Sequence, residues 1–381
     1  MALTAGADLA VVGGGIVGLA TARAFQRRFP PATAVLPQAA RGLGRGQTRP
    51  NPRGVPTGGF YAPGSLKAKL CVEGASLMRA YCAEHDIPVV RCGKLIVATS
   101  ESEVDRLGEL ERRGHANGVP GLMRLSSGDI SEREPNVQGL AALWSPQAAV
   151  VDFRRVALAL AADIVKAGGH IETAWAATRA TDSQVVATDG RVVAARRIIV
   201  CAGIRSDRLA VASGAPRDPR VVPFCGTYLH VRPERQKLVS SMIYPVPDPA
   251  LPFLGVHLTP TADGGLTIGP TALPVPMLRT ALWPGALRMA WRHRRSVARE
   301  LEMAARRKAV VAAAQRYVPS LSAQDVAPGS TFGVRAQAVG RDGTLLDDFV
   351  FSDSGSVLHV RNAPSPAATS ALAIGELLAA R

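Results

Sequence analysis

Three glycines spaced as G-x-G-x-x-G, Gly13, Gly15 and Gly18, constrain this chain most, because they stand between an apolar run, "DLAVV", and a stretch of helical spacing that ends near Arg28. The first glycine permits a tight turn, the second lets a pyrophosphate approach the backbone, and the third lets helix and strand pack closely. A helix that opens at such a turn presents free amides and a partial positive charge to an anion. Ile16 and Val17, between the glycines, join them as candidate dinucleotide contacts; the competing reading is a merely structural glycine-rich turn. A second strand, "TAVL", follows Pro30 and Pro31, so the start reads as a βαβ unit in a parallel sheet with the first strand central. The acidic residue expected about twenty positions on, to hold ribose hydroxyls, is missing. That strand ends in Pro37 and Gln38 instead.

A chain of 381 residues exceeds the usual single-core size and predicts two intertwined domains. The 47% hydrophobic share is spread along the sequence, which excludes a disordered chain, and no stretch of about 20 uninterrupted apolar residues suggests a membrane span. The first residues lack the basic region, apolar region and cleavage site of a secretory signal, so the expected location is cytoplasmic. Cys71, Cys82, Cys92, Cys201 and Cys225 are scattered without a CxxC pair, which argues against a zinc site or a disulfide framework.

The formal charge of +15 favours any anionic partner, whether lipid, nucleic acid or dicarboxylate, and does not choose among them. Its distribution says more. Residues 279–316 carry ten Lys/Arg against Glu300 and Glu302, and Leu287, Trp291, Ala298, Leu301 and Ala305 recur at roughly helical spacing. This predicts a basic amphipathic helix with at most one break. Aromatic residues are not interleaved with the charge and no recognised module appears, so no nucleic-acid partner is expected.

Along the chain, "GSLKAKLCVEGASLMRAYCAEHDI" has helical spacing, "VVRCGKLIVAT" reads as a strand, and "SEVDRLGELERRGHANG" as an amphipathic helix. "AAVVDFRRVALALAADIVKAGG" forms a turn and a helix, followed by strands near 171–175, 185–188 and 191–194 and the strand "RIIVCAG". Residues 220–270 alternate in short strands, as expected of an antiparallel sheet with one covered face. A strand near 346–351, the strand "VLHV", the loop "RNAPSP" and a helix over 367–380 end the chain.

A nicotinamide-binding domain normally completes its nucleotide fold locally, whereas here the nucleotide elements are separated. "RRIIVCAGIRSDRLA" resembles the second conserved strand of the flavin oxidase superfamily, with Ala202 and Gly203 in its turn. "HVRNAPSPAATSALAIG" resembles the loop and helix facing the flavin pyrimidine, with Asn362, Ala363, Pro364 and Ser365 as contacts. Either segment alone reads equally as an ordinary strand, turn and capped helix. Read together, "PGSLKAKLC", "CGKLIVAT", "VDFRRVALA", "YPVPDPALPFLGVHLTP", "GVRAQAV", "RDG" and "HVRNAPSPAATS" resemble the L-2-hydroxyglutarate oxidases/dehydrogenases, of the glycine/D-amino-acid oxidase type, over nearly the whole chain.

The resemblance implies an α/β fold with an α+β substrate part: a Rossmann-like FAD-binding domain with a parallel sheet over 1–85, 145–215 and 325–381, and an antiparallel-sheet substrate domain over 86–144 and 216–324. It implies FAD as cofactor, Gln47 and Thr48 among its contacts, and oxidation of L-2-hydroxyglutarate to 2-oxoglutarate. His257 is the candidate base or hydrogen-bond partner, with a structural histidine as the alternative. Arg335 offers a planar fork to a carboxylate, with a structural ion pair as the alternative. Tyr61 and Lys67 complete the substrate set; Lys67 and Lys69 could serve the distal carboxylate, and a solvated surface position is the plainer reading of both. The resemblance permits a quinone electron acceptor and a peripheral position on an anionic inner-membrane surface.

The likeness fails over residues 37–60. The family's histidine beside the flavin falls on Pro56, its Arg-Asn-Ser-Gly run becomes Pro50-Asn51-Pro52-Arg53, and its "PFRG" reads Pro223-Phe224-Cys225-Gly226. Proline supplies neither a side-chain donor nor an imidazole. A diverged, catalytically impaired flavoprotein competes with a short reading-frame disturbance in the source sequence as the explanation.

Overall fold

The structure is a computed structural model that describes residues 6–48, 54–248, 254–275, 280 and 282–381. Among these residues, eight strands form a first sheet in which Ala7–Val12 lies between Val192–Val200 and Ala34–Pro37, parallel to both. The first strand is central, as its sequence context predicts. Leu9 and Val11 bury into one core while Ala10 and Val12 bury into another, so the strand is covered on both faces and needs no polar residue. Each fully buried large aliphatic side chain contributes roughly 1.5–3 kcal/mol.

Helices Ile16–Arg28, Leu66–Glu84, Phe153–Lys166 and Ala371–Ala380 cover the Leu9 face. Asp163 ties three of them together, accepting from Arg23 Nε at 2.6 Å and from the Tyr81 hydroxyl at 2.9 Å. The C-terminal helix packs so closely on Ile16–Arg28 that a Cβ on Gly375 would lie 2.6 Å from the Ala20 carbonyl oxygen. It starts at Ala371, because 367–370 form turns, and the strand expected near 346–351 is Val350–Ser354.

Nine strands form the second sheet, antiparallel except that Met242–Pro245 pairs in parallel with Lys94–Ala98. Thr331–Val339, which the boundary expected at 325 assigns to the nucleotide part, pairs instead with Arg220–His230 of this second sheet from Tyr228↔Thr331 to Arg220↔Val339. A three-stranded sheet of Gly54–Val55, Ala149–Val151 and Val89–Val90 completes the pairing. The single strand expected from "VVRCGKLIVAT" is thus two, Val89–Val90 and Lys94–Ala98. They separate at Gly93, whose φ of +67° only glycine adopts readily and where a Cβ would strike the Trp144 ring.

The basic segment breaks twice, at His293 and Arg306, giving Pro284–Arg292, Arg294–Ala305 and Arg307–Gln315; Arg279 lies outside the described residues. The breaks follow from packing. Met289 joins a small core with Val222 and Phe224, whereas Met303, Val310 and Val311 join the core of the second sheet. One straight helix could not present all of them inward. Among the described residues, no helix is long and apolar enough to cross a membrane.

Candidate active site

The parallel strands Ala7–Val12, Val192–Val200 and Val357–Asn362 end side by side, forming the kind of crevice at carboxyl strand ends where α/β sheets bind ligands. Gly13 has a φ of +119°, and a Cβ there would collide with the Cys201 carbonyl; one on Gly18 would collide with the carbonyl of Gly13. At Gly15 the space is open, an added Cβ meeting only Thr48 Oγ1 at 3.8 Å. The first bond of the following helix runs from Leu19 N to Gly15 O, so the amides of Ile16, Val17 and Gly18 have no partner within the helix, and that of Ile16 donates to Thr48 Oγ1 at 3.1 Å.

Gln47 lies against Gly203, whose added Cβ would be 2.6 Å from Gln47 Oε1. Thus Gly13, Gly15, Ile16, Val17, Gly18, Gln47, Thr48, Ala202 and Gly203 meet around one turn. Gln38, in the place of the absent acid, accepts from Gly14 N at 2.9 Å. Small residues, open space above Gly15 and a helix start whose Val17 and Gly18 amides have no intrahelical partner fit a dinucleotide pyrophosphate.

The side-chain amide of Asn362 is engaged within the protein. Its Oδ1 accepts from Ala338 N at 3.0 Å, and Nδ2 donates to the carbonyls of Leu346 and Asp348, each at 2.8 Å. Both amide hydrogens are therefore taken and cannot reach a cofactor. Beyond it, Ala363 is half-buried, Pro364 buried and Ser365 exposed in the loop leading to the C-terminal helix.

The second sheet supplies a different chemistry. His257 is 3% exposed, and its Nδ1 lies 2.9 Å from the Gly255 carbonyl. A carbonyl only accepts, so the neutral ring carries its hydrogen on Nδ1 and a bare lone pair on Nε2, which is buried without a partner among the described residues. Burial, with the charges of Arg335 and Lys94, holds the imidazole down at about 3 despite the Gly255 contact. Arg335 is half-buried on Thr331–Val339 and hydrogen-bonds Tyr228, whose phenol burial pushes up.

The family described as FAD dependent oxidoreductase matches residues 8–381. The chain belongs to it. Its cofactor is FAD, as that description states. The oxidoreductase is 43% identical to the mitochondrial L-2-hydroxyglutarate dehydrogenase of Nematostella vectensis, over 98% of this chain and 89% of the relative. It is 39% identical to that of Homo sapiens, over 99% and 89%, and 36% identical to the L-2-hydroxyglutarate dehydrogenase of Salmonella houtenae, over 97% and 91%. Its fold is that of FAD-bound L-alpha-glycerophosphate oxidase from Mycoplasma pneumoniae, with a TM-score of 0.80 at 23% identity over 99% of this chain and 94% of that one. Glycine oxidase from Geobacillus kaustophilus shares it at a TM-score of 0.75 and 21% identity, over 99% and 94%.

In this oxidoreductase Lys67 is not a surface lysine: it is 7% exposed, its Nζ is 2.7 Å from Asp347, and it lies over the Tyr61 ring at 4.9 Å. Lys69 is exposed, in keeping with the surface reading. The carbonyl of Pro56 faces Cys71 Sγ at 3.6 Å, while residues 50–53 lie outside the described set. Cys225 pairs in register with Val334, next to Arg335.

The sequence reading missed Lys94, Phe60 and Tyr244. The signal for Lys94 was a lone cation heading the apolar run Leu95–Ala98, a position where a surface lysine is out of place.

Proposed function

We propose that this chain oxidises L-2-hydroxyglutarate to 2-oxoglutarate with FAD. The observation that carries the reading is the bare, buried Nε2 of His257 in the field of Arg335 and Lys94, in a chain 36–43% identical to enzymes named for that dehydrogenation. The reaction removes a hydride from the carbon bearing the hydroxyl and a proton from its oxygen. When bound, FAD supplies the hydride acceptor.

The protein's residues do the rest. Arg335 offers two parallel N–H groups to a carboxylate, and its bond to Tyr228 holds the guanidinium. His257 accepts the substrate hydroxyl at Nε2. Its basicity is suppressed by burial and two nearby cations, and a bound dicarboxylate compensates those charges, so the ring becomes a better proton acceptor as the substrate arrives. Anaerobic mixing with L-2-hydroxyglutarate tests the reading: flavin absorbance bleaches and 2-oxoglutarate appears. A yellow protein unbleached by any 2-hydroxy acid would instead favour the impaired flavoprotein, a reading motivated by Pro56 standing where the family has a histidine.

The proposed location is the cytoplasmic face of a membrane, with a quinone as electron acceptor. Arg292, Arg294, Arg295 and Arg299 are exposed, and Leu282, Leu287, Trp291 and Leu301 are exposed at 81%, 55%, 72% and 52%. Cations beside exposed apolar side chains suit an anionic lipid surface. Trp283, by contrast, packs inward with Met289.

A further inference from the structure

A substrate with two carboxylates calls for a second cation besides Arg335. Lys67, one candidate from the sequence, is engaged by Asp347. Lys94 is 4% exposed, and among the described residues no carboxylate pairs with it. Its Nζ instead lies 4.2 Å from the Phe60 ring centroid and 5.3 Å from that of Tyr244. Aromatic faces compensate a buried ammonium only in part, so the position is short of negative charge.

The groups around it do not supply that charge near neutral pH. From the first part of the chain come Tyr61, Cys71 and Lys67: burial pushes the Cys71 thiol up to about 12 and raises the Tyr61 phenol. From the second sheet come Tyr244, pushed up to about 12 by burial, and His257, with Tyr228 and Arg335 on the far side of Tyr244 and His257. Tyr244 links the set, since its ring lies under Lys94 and is stacked on His257 at 4.0 Å.

We infer that Lys94 binds the distal carboxylate of the substrate and so selects dicarboxylic over monocarboxylic 2-hydroxy acids. The assignment rests on the dicarboxylate reading of the same site. Burial moves the Lys94 ammonium down to about 8, so its hold on an anion weakens as pH rises through that region, a midpoint that the bound anion shifts upward.

Calorimetry of the FAD-loaded protein with glutarate and with butyrate tests the claim. Lys94→Met should lower glutarate affinity on the order of 10- to 100-fold, as for a lost charged hydrogen bond, and leave butyrate affinity unchanged. In turnover, the same variant should lose preference for L-2-hydroxyglutarate over L-2-hydroxybutyrate. Equal losses for both acids, or no loss for either, would overturn the assignment. If Lys94→Met does not fold, the wild-type protein decides: glutarate affinity that does not fall between pH 7 and 10 relative to butyrate overturns it equally. Lys94-dependent glutarate binding without oxidation of any 2-hydroxy acid would sink the proposed reaction and leave the site standing. Oxidation of L-2-hydroxyglutarate with an unchanged KM in Lys94→Met would do the reverse.

Discussion

Tyr244 lies flat on His257, ring centroid to ring centroid 4.0 Å with an interplanar angle of 29°. The stack fixes the ring's orientation, and the Gly255 carbonyl holds it in the tautomer with a lone pair on Nε2. His257→Gln keeps a polar side chain but removes the ring lone pair. Its kcat should fall about 10²–10⁴-fold, the usual contribution of a positioned proton acceptor, with FAD content unchanged. Single-turnover flavin reduction at the wild-type rate would remove His257 from the chemistry.

Arg335→Lys replaces a planar fork by a point charge that cannot make two parallel bonds to a carboxylate. A charged hydrogen bond is worth roughly 1.5–3 kcal/mol, and KM for L-2-hydroxyglutarate should rise accordingly. Steady-state kinetics at matched FAD content checks this, and unchanged constants would place Arg335 outside the site.

Acid should destabilise the protein before its carboxylates titrate. Burial depresses His257 to about 3 and His359 to about 4, from an ordinary value near 6.5. Between these values the unfolded chain binds protons that the folded chain excludes, so stability falls as pH drops below about 6.5, by up to about 1.4 kcal/mol per pH unit for each histidine. Urea unfolding between pH 7 and 5 reads the slope. Replacing His359, which is fully buried, with Asn should flatten it by close to one proton; an unaltered slope would contradict a buried neutral ring.

Gly375→Ala opposes two effects. Alanine gains about 1 kcal/mol of helix propensity, but its Cβ would lie 2.6 Å from the Ala20 carbonyl oxygen, and overpacking against backbone typically costs about 1–3 kcal/mol. The clash should win and lower Tm. A raised Tm would show that the two helices separate cheaply.

For the exposed basic helices, each surface-adjacent cation contributes on the order of 1 kcal/mol toward an anionic membrane. Sedimentation with anionic vesicles should show binding at low salt that falls steeply as charges are screened. Replacing Arg292, Arg294, Arg295 and Arg299 with Gln should abolish it, and unaffected binding would leave these helices without that role.

The sequence by itself determined the nucleotide half of the molecule, because its signals are local. Gly13, Gly15 and Gly18 act within one turn, and the fully apolar run "LAVV" that leads into them reads as a strand covered on both sides. His257 and Arg335 stand out in the sequence through motif context. What only the tertiary structure decided depends on partners far apart in the chain. Lys67 and Lys94 are alike as letters; Asp347 neutralises the first, while Phe60 and Tyr244 enclose the second without a carboxylate. The side chain of Asn362 is held by Ala338, Leu346 and Asp348, partners that its own motif does not contain. The twofold break in the basic segment likewise follows from which core each inward methionine or valine reaches, since periodicity records which face is apolar and not what lies opposite it.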